Sequence, residues 1–478
     1  MPRHTGKKGF ITSRILYYIK MKHTILFISL LLLCGCATQT GFRNTPKAID
    51  AVLQRIQPPV FQDKTFNIND FSAIANGTSD ARAAIQNAIE ACHAAGGGRV
   101  LVPAGHYFCD GPLHVKSNVN LHLEKDALIT FGVNPEKYTP LVKVRWEGTV
   151  CYNYSPLIYA YQQNNIAITG AGRLDGQAER FWYAWKRGND GKNQDADKPR
   201  LRQMGNDRVP EEQRIFGNGF MDVNNDGVND GDGQAHYLRP SLVEFYECNN
   251  ILLEDFTAEG SPFWTIHPVF CKNVTIRRLT IKKGTTNDDG IDPDSCEDVL
   301  IENCMIDTND DPVSIKAGRD QDAWNRPGSR NIIVRNCTVS CEVGNGFCIG
   351  SEMSGGVENV FVENYIIKST DNGINFKCNL DRGGFIKNIH LKNIEIDSCA
   401  KHGILFQMDY HSYRGGNYPP DFQDFNLKNI NIRKAGKIGV KIAGVASKPV
   451  RRVSMQNINV KDTPKFEELT FTKKVTWK

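Results

Sequence analysis

Clusters of aspartate and asparagine recur in the C-terminal half of the chain and contain the side chains best suited to chemistry. The richest are N-D-D-G-I-D at 287–292 and N-D-D at 309–311, followed by G-N-G at 344–346 and N-F-K at 375–377. Single Asp and Asn residues are common in turns for structural reasons. Carboxylates held close together raise one another's pKa, so that one keeps a proton while another stays ionised. If folding brings these clusters together, they could perform general acid and base catalysis.

A repeated phrase predicts how they are brought together. Each copy begins with a polar residue and continues as a short strand of alternating Val and Ile, and the clear copies are spaced 23 to 36 residues apart. These copies begin at Asn250, Asn273, Asp298, Asn331, Asn359, Asn388, Asp424 and Arg452, with a weaker one at Asn165. The gaps are too short for strand-helix-strand crossovers, so stacked coils are expected. The sequence therefore predicts an all-β protein, a parallel β-helix, with the four clusters in similar phase on one side.

The repeat starts and the cysteines indicate how the coils stack. Recurrent Asn at the turn predicts a ladder in which side-chain amides bond to the backbone of successive coils. Cys248, Cys271 and Cys296 each precede a repeat start by two residues, and Cys304 and Cys337 share another phase. Buried thiols in a stacked ladder are favoured over metal ligation, because no C-x-x-C pair has zinc spacing. Disulfides stay open, since sequence cannot pair them.

One amphipathic helix is predicted before the repeats. Ser79 is its expected N-cap, and Gly96-Gly97-Gly98 ends it. One face carries Ala81, Ala84, Ile85, Ala88, Ile89 and Cys92. This helix is expected to cap the open N-terminal end of the solenoid.

The N-terminus reads as an export signal. The apolar run 24–33 is too short to span a bilayer, follows basic residues and ends in Leu33-Cys34-Gly35-Cys36. We therefore expect residues 1–35 to be a lipoprotein signal, with Met21 as a second candidate start, and Cys36 to carry the lipid. A secretory signal cleaved without lipidation is the alternative. Residues 36–60 are expected to be a tether and 61–470 the catalytic domain, with a polar insertion at 186–236.

Charge and composition restrict the partners. The full chain carries +5, but residues 1–35 contain six Lys or Arg and no acid, so removing them leaves about −1. A general basic surface for nucleic acid is therefore not expected. The chain is expected to act without a cofactor or metal, as a monomer exported by a Gram-negative bacterium to the outer membrane, periplasm or cell surface.

Several motifs together resemble glycoside hydrolase family 28, the polygalacturonases. They are S-P-F-W-T-I-H-P-V at 261–269, the segments 287–294 and 309–316, L-R-P at 238–240, I-G-S-E at 349–352 and R-G-G at 382–384. The start of the mature domain resembles the wider pectate-lyase-like group. The resemblance covers roughly residues 65–465. It implies a right-handed β-helix and hydrolysis of the pectin backbone with inversion.

Position by position, the resemblance assigns roles to the clustered residues. Asp310 becomes the general acid, and Asp289 and Asp311 activate water. An inverting pair is expected to be roughly 6.5–9.5 Å apart, with water between its members. Substrate binding falls to Asn287, Asp292, Asn345, Asn375, Lys377 and Arg382.

Two departures from the family pattern bear on the substrate. Asn345 replaces the family's histidine in Gly-His-Gly, and Asn375 replaces the arginine of Arg-Ile-Lys, while Lys377 remains. Together they favour rhamnogalacturonan or another decorated pectin over plain polygalacturonate. A pectin lyase on a related β-helix and a non-catalytic pectin-binding solenoid are the competing functions.

The remaining candidates carry weaker signals. Asp222, Asn224 and Asp226 have calcium-loop spacing, but Gly233 stands where the loop needs Glu, so a polar loop is favoured. His267 is expected to be structural. A sugar-stacking platform could come from Trp182, Trp185, Trp264 or Trp324. The insertion and the 319–330 loop are expected to close one end of the groove, which favours exo action.

Overall fold

The computed structural model of the protein describes residues 45–188, 191–220 and 231–478. The chain divides into a unit of residues 1–48 and a unit of residues 49–478, and the fold described here is that of the second. The signal segment, Cys36 and the loop residues Asp222, Asn224 and Asp226 lie outside the described residues. Lipidation and the nature of that loop therefore stay predictions.

A parallel β-helix forms the body of the molecule, as the repeat predicted. Its main sheet contains 25 strands. In the N-terminal part these are Thr65–Asn67, Asn76–Asp80, Gly98–Val102, Gly105–Cys109, Val119–Leu123, Ala127–Phe131, Asn164–Thr169, Arg173–Asp175, Asn249–Glu254, Thr257–Glu259, Lys272–Arg277 and Thr280–Ile281. They continue as Glu297–Glu302, Met305–Thr308, Ser314–Ile315, Ser329–Arg335, Thr338–Cys341, Asn345–Ile349, Val357–Lys377, Phe385–Gln407, Asp421–Lys434, Ile438–Ala443, Val450–Asp462, Lys465–Thr470 and Thr472–Trp477. The last strand extends beyond residue 470, the expected end of the domain.

A smaller parallel sheet leads into the region of the aspartate clusters. It contains Leu113–His114, Ile158–Tyr161, Val243–Tyr246 and Ile266–Val269. Single parallel bridges extend it from Ile266 to Ile291 and on to Val313. A separate antiparallel hairpin, Val142–Trp146 with Thr149–Asn153, was not expected from the sequence.

The repeat starts share one backbone conformation, which explains their residue types. Asn250, Asn273 and Asp298 have φ of 56°, 55° and 56°, in the left-handed region that Asn and Asp tolerate best. Their side chains form a ladder between coils, in which Asn273 Nδ2 donates to Asn250 Oδ1 at 2.6 Å. The predicted ladder exists, but its links are mainly from side chain to side chain. The expectation of bonds to backbone was wrong, because the left-handed turns place successive amides one above the other.

Apolar side chains in matching positions of successive coils fill the interior. One row runs from Ile251 through Val274 and Val299 to Ile332, and each member pairs with the next along the parallel sheet. Cys248, Cys271 and Cys296 stack as predicted, and all twelve cysteines of the described residues are free thiols in the interior. The disulfides left open by the sequence do not form there.

Besides the strands, the described residues contain five α-helices and four short 3-10 helices. The α-helices are Thr45–Arg55, Arg82–Ala94, Ala184–Arg187, Asp197–Asn206 and Asp320–Ala323, and the 3-10 helices are Ile68–Phe71, Pro135–Lys137, Ala178–Arg180 and Glu211–Gln213. Arg82–Ala94 is the predicted capping helix, and its apolar face is buried. Ser79 is not its cap: the N-cap is Ala81, and Asp80 Oδ1 accepts the N–H of Arg82 at 2.9 Å. None of the helices in the described ranges is long and apolar enough to cross a membrane.

The segment expected to be a tether is partly packed on the domain. Val52 and Ile56 pack against Leu300, Ile333 and Phe361, which point outward from three adjacent coils. Arg55 pairs with Asp298 at 2.7 Å, and Gln57 exchanges hydrogen bonds with Asn273. A tether that spans all of 36–60 was therefore wrong for the part from residue 49 onward. The outer faces of these coils are apolar, and the helix covers them.

Candidate active site

The clustered aspartates line a cavity of about 530 Å³ on the side of the solenoid. Its lining comes from six successive coils and from three further segments, the hairpin with Glu147, the insertion with Lys198 and the 319–330 loop with Arg319. It contains Glu147, Lys198, Trp264, Asn287, Asp289, Asp310, Asp311, Lys316, Arg319, Ser351, Glu352, Lys377, Arg382, Tyr410, His411 and Ser412. Five of these residues are basic and five are acidic, so the cavity is both highly charged and nearly balanced.

Asp289, Asp310 and Asp311 converge at the centre of this cavity. One carboxylate oxygen from each lies within 4.8 Å of the others. This distance joins the nearest oxygens, whereas the roughly 6.5–9.5 Å expected of an inverting pair separates whole carboxyl groups, and that expectation therefore stays a prediction. A single water could nevertheless donate to two of these oxygens at ordinary lengths of about 2.8 Å.

The three carboxyl groups have different protonation properties. Burial and the neighbouring charge of Asp311 raise the pKa of Asp310 to about 6. Burial also raises the pKa of Asp289, although the ammonium of Lys316 favours its charged form. Burial opposes ionisation of Asp311 too, but the charges of Lys377 and Lys316 outweigh it and lower the pKa of Asp311. Because these groups interact strongly, they titrate as a unit. Below about pH 6 the cluster therefore contains both a protonated Asp310 and an ionised Asp311.

Two buried lysines supply the positive charge beside the carboxylates. Lys316 Nζ lies 3.0 Å from Asp289 Oδ2, and Lys377 Nζ lies 2.8 Å from Asp311 Oδ2. Burial disfavours their charged forms, yet the adjacent aspartates raise the pKa of both lysines well above its usual range. Three converging carboxylates could also hold a metal ion, but here ammonium groups already occupy positions within hydrogen-bond distance of two of them.

Asp288 braces the turns that present these catalytic candidates. It is fully buried and accepts hydrogen bonds from the backbone N–H groups of Gly284 at 2.7 Å, Asn309 at 3.0 Å and Asp310 at 3.1 Å. Gly344 packs against the same turn, where a Cβ would lie 2.5 Å from the carbonyl carbon of Asp310. The position of Asp310 is therefore fixed by the backbone of three coils.

The predicted amide residues lie in two different places. Asn287 lines the cavity and donates to Asp310 Oδ2 at 3.3 Å. Asn345 donates to Asp311 through its side chain, and Asn375 donates to Asn345 Oδ1 at 2.9 Å. Both Asn345 and Asn375 line a neighbouring cavity. Of the two departures from the family pattern, Asn345 therefore contacts Asp311 directly, and Asn375 contacts it only through Asn345.

Two predicted substrate-binding residues, Asp292 and Arg382, have buried side chains. Asp292 is fully buried, lines neither cavity, and both of its carboxylate oxygens have no hydrogen-bond partner among the described residues. Asp292 therefore does not reach either cavity in this structure, and its contact with substrate stays a prediction. Arg382 does line the cavity, but its guanidinium is held by Asp320 at 3.0 Å, Ser351 at 2.9 Å and Glu352 at 3.3 Å.

The insertion forms one wall of the cavity, as expected. Its helix Asp197–Asn206 brings Lys198 to the cavity, where Lys198 Nζ lies 2.7 Å from Glu147 Oε1 of the unexpected hairpin. Arg202 on the same helix pairs with Asp320 at 2.5 Å and with Asp381 at 3.0 Å. The helix is thereby tied to the 319–330 loop and to the coil that follows it.

Among the aromatic and histidine candidates, Trp264 is the one that lines the cavity. Its ring lies 4.4 Å below Lys316 Nζ and stacks on Phe263. Trp182 and Trp185 pack in an aromatic cluster of the core, and Trp324 Nε1 donates to Arg382 O.

His267 is fully buried, as a structural histidine should be. Its ring lies between Glu244 and Asp294, at 3.4 Å and 3.6 Å. Burial opposes its charged form, but these two carboxylates raise the pKa of His267 to about 9. It lines neither cavity.

Sequence reasoning missed several residues of the cavity. Lys316 and Glu352 stood inside motifs that resemble the family, but had no assigned role. Glu147 and Lys198 come from the hairpin and the insertion, where no periodic pattern marks a functional position. Tyr410 and His411 follow the strand Phe385–Gln407 in a loop without a motif.

Family models match most of the chain. The model "Glycosyl hydrolases family 28" matches residues 211–476, and "Rhamnogalacturonase A/epimerase, pectate lyase-like" matches residues 65–122. Among curated proteins, a probable polygalacturonase of Vitis vinifera is 25% identical, with 84% of this chain and 75% of that protein covered.

Solved structures agree with this assignment. An exopolygalacturonase from Thermotoga maritima is 36% identical, with a TM-score of 0.84 over 91% of this chain and 95% of its own. A polygalacturonase from Erwinia carotovora, 22% identical, shares the fold, with a TM-score of 0.64 over 88% of this chain and 98% of its own. With its three converging carboxylates on a parallel β-helix, the chain belongs to glycosyl hydrolases family 28.

Proposed function

We propose that this chain hydrolyses the bonds of α-linked galacturonic acid in pectin, and that it removes terminal units with inversion at the anomeric carbon. One observation carries the proposal: a single cavity places three carboxylates among five basic side chains. Carboxylates can catalyse glycoside hydrolysis, and cations recognise the carboxylate of a uronic acid. The relatives whose names describe polygalacturonases support the same substrate class.

The protonation pattern supports a division of labour. Asp310, whose pKa is about 6, donates its proton to the glycosidic oxygen as the bond from that oxygen to the anomeric carbon breaks. Asp311 and Asp289 hold a water between their oxygens. As the water oxygen bonds to the opposite face of the anomeric carbon, one of its protons passes to Asp311, the member of the pair whose pKa is lowered. The ionised carboxylate also stabilises the positive charge that develops on the sugar.

The wall of the cavity supports action on chain ends. Lys198 and Arg319 reach the cavity from the insertion and from the 319–330 loop, and both contact Glu147. The bonds of Arg202 to Asp320 and Asp381 hold this wall in place. Segments that meet across one end of a groove obstruct a longer chain there, which favours a terminal sugar unit over an internal one.

The basic side chains favour hydrolysis over the lyase reaction. A lyase needs a base that can take a proton from the sugar ring. Lys316 and Lys377 are both buried, and each is paired with an aspartate that keeps it protonated. The structure offers three carboxylates for hydrolysis and no such free lysine among the residues that line the cavity.

The product pattern from galacturonate oligomers of defined length tests this proposal. At the earliest times we expect monomer as the only new small product, together with oligomers that are one unit shorter. A ladder of intermediate lengths would contradict exo action. An absence of turnover on every pectic substrate would favour the binding solenoid instead.

We also propose that the enzyme is exported and held at a membrane by lipid on Cys36. The support is the basic, apolar and small-residue order of the leader. Cys36→Ser should move the protein from the membrane fraction to the soluble fraction without altering its activity. Retention of the variant in the membrane fraction would contradict the lipid anchor.

A further inference from the structure

A second cavity adjoins the first along the groove. It measures about 990 Å³, including space open to solvent, and shares Tyr410 and His411 with the catalytic cavity. Its floor is the outer surface of the later coils, where Asn345, Asn372 and Asn375 form an amide cluster. A sugar chain with one unit in the catalytic cavity would extend over this surface.

The floor is built from paired parallel strands, with one register shift beside Asn372. Asn345 pairs with Asn372, and Asn372 pairs with His402 on the next coil, while Asn375 pairs with Leu405 in a parallel row. Adjacent coils are separated by about 4.8 Å, the spacing of hydrogen-bonded strands. The side chains on this floor therefore have positions fixed by the sheet, as a selective binding site requires.

The second cavity is lined by fewer cations than the first, with two lysines in place of five lysines and arginines. Lys401 Nζ is 2.6 Å from Asp371 Oδ2, and Lys441 Nζ is 3.1 Å from Glu468 Oε1, so each of these lysines is already paired. Burial and nearby lysines lower the pKa of His402 to about 4, which leaves its ring neutral. Asp409 adds a further acid to the lining. A uronic acid carboxylate would find no unpaired cation among the described side chains here.

The orientation of the amides leaves one acceptor without a donor. Asn345 Nδ2 donates to the carboxylate of Asp311, so Asn345 Oδ1 must be the acceptor for the amides of Asn372 and Asn375. Asn375 therefore uses its Nδ2 for this bond. Its Oδ1 has no hydrogen-bond partner among the described residues, although the side chain is only 2% exposed and lines the cavity.

We propose that the second cavity binds an uncharged sugar unit, linked to the galacturonate that is released in the catalytic cavity. A sugar hydroxyl can donate to Asn375 Oδ1, whereas a carboxylate would place two acceptors against each other. A neutral sugar such as rhamnose and an esterified galacturonate both have this chemistry. The inference rests on the proposed function, and it identifies which neighbour of the cleaved bond the enzyme prefers.

Three disaccharides test the proposal with the full-length enzyme. In each disaccharide a terminal galacturonate is linked to a second sugar, which is free galacturonate, galacturonate methyl ester or rhamnose. We expect kcat/KM to be at least about tenfold higher with an uncharged neighbour, because unmatched polar groups at a fixed site are strongly rejected. A preference for rhamnose over the ester, or the reverse, tells the two sources apart. A preference for the free acid would overturn the proposal.

A charge variant and a binding measurement complete the test. Asn375→Arg should bring the preference towards the free acid by about tenfold or more, since arginine binds carboxylates in a bidentate manner. Ser454→Arg, on a strand that lines neither cavity, should leave the preference unchanged. An equal effect of both variants would contradict the proposal.

Calorimetric binding of the same disaccharides to Asp310→Asn gives a readout that needs neither turnover nor a folded Asn375→Arg. Tighter binding of an uncharged neighbour supports the site even if all three substrates resist hydrolysis, in which case the proposed function alone fails. Tighter binding of the free acid would refute the site whatever the turnover.

Discussion

Asn345 donates two hydrogen bonds to one carboxylate oxygen of Asp311, from its backbone N–H at 2.7 Å and from its side-chain Nδ2 at 2.6 Å. Lys377 contacts the other oxygen at 2.8 Å. Hydrogen bonds and a cation stabilise the charged form of a carboxylate, so Asp311 remains ionised despite its burial. An amide does not titrate near neutral pH, and Asn345 therefore supports Asp311 equally at all working pH values.

Asn345→Ala removes the side-chain bond and should raise the pKa of Asp311. The ionised base is then lost at a higher pH, so the acidic limb of kcat/KM should move upward by about one pH unit, which is the order of a charge-assisted hydrogen bond. Asn431→Ala, an exposed amide bonded to Glu395, serves as the control and should leave the limb in place. An unchanged limb in Asn345→Ala would contradict the proposed support of Asp311.

Asp310→Asn should remove the general acid while keeping the size of the side chain. We expect hydrolysis to fall by about 10²-fold to 10⁴-fold, the usual contribution of acid–base catalysis, with substrate binding retained. Release of reducing ends measures hydrolysis, and calorimetry measures substrate binding. The matched control is Asp307→Asn. Asp307 is exposed, lies on the strand Met305–Thr308 just before Asp310 and is bonded to Ser340, so this variant should have wild-type activity. Near-normal activity of Asp310→Asn would remove Asp310 from the mechanism.

The pH dependence of kcat/KM should be bell-shaped with an acidic optimum. Burial raises the pKa of Asp310 to about 6, so its proton and the activity are lost as the pH rises through that value. Lys377 and Lys316 lower the pKa of Asp311 despite burial, so the base stays ionised until the pH falls below about 3.9, the ordinary value for aspartate. Initial rates between pH 3 and 8 measure both limbs. A rate that rises throughout this range would contradict the assignment.

Arg202→Ala should loosen the wall of the cavity. Arg202 ties the insertion helix to Asp320 and Asp381, and without it internal bonds should gain access. The viscosity of a pectin solution should then fall faster for each reducing end released, by about twofold or more if access to internal bonds contributes about 0.4 kcal/mol of transition-state free energy. Arg200→Ala, on the same helix but paired with Asp232, is the control and should keep the exo pattern. If the loss of viscosity per reducing end is unchanged in Arg202→Ala, this wall is not the cause of exo action.

Ile56→Ala should destabilise the domain by about 2 kcal/mol or more through lost apolar burial. Ile56 is 6% exposed and packs on the outer surface formed by Leu300, Ile333 and Phe361. Urea unfolding at constant m-value gives the difference. Gln54→Ala, on the exposed side of the helix Thr45–Arg55 that precedes Ile56, should change the free energy of unfolding by less than about 0.5 kcal/mol. Equal effects of the two variants would show that the helix does not pack on the solenoid.

The repeat predicted the fold because its starting residue, usually Asn or Asp, marks a turn with a left-handed backbone conformation in each coil. Every repeat start has a positive φ, which favours Asn or Asp and is met by Arg only at position 452. Alternate apolar residues of the strand that follows point inward. The same periodicity placed Asp289, Asp310 and Asp311 on one side of the solenoid. Phase alone could not say which side of a turn each carboxylate faces, and so it grouped the buried Asp292 with them.

The walls of the site could not be predicted in the same way. The helix Asp197–Asn206 buries Asp197 and Arg202 through ion pairs and hydrogen bonds, so it has no apolar stripe to reveal it. Glu147 sits at the turn of a hairpin and depends on pairing with Lys198 and Arg319 from distant segments. These contacts arise from tertiary structure, and the sequence carries no local signal of them. The second cavity is likewise visible only once Asn345, Asn372 and Asn375 lie on adjacent coils.

The short spacing of the catalytic oxygens makes the stereochemistry of the product the most direct test of the central claim. Proton NMR during the first minutes of hydrolysis distinguishes the two anomers of the released galacturonate before they equilibrate. Attack by a water held between Asp289 and Asp311 predicts that the β anomer of a saturated sugar appears first from the α-linked substrate. Initial appearance of the α anomer, or of an unsaturated sugar that absorbs ultraviolet light, would contradict hydrolysis with inversion.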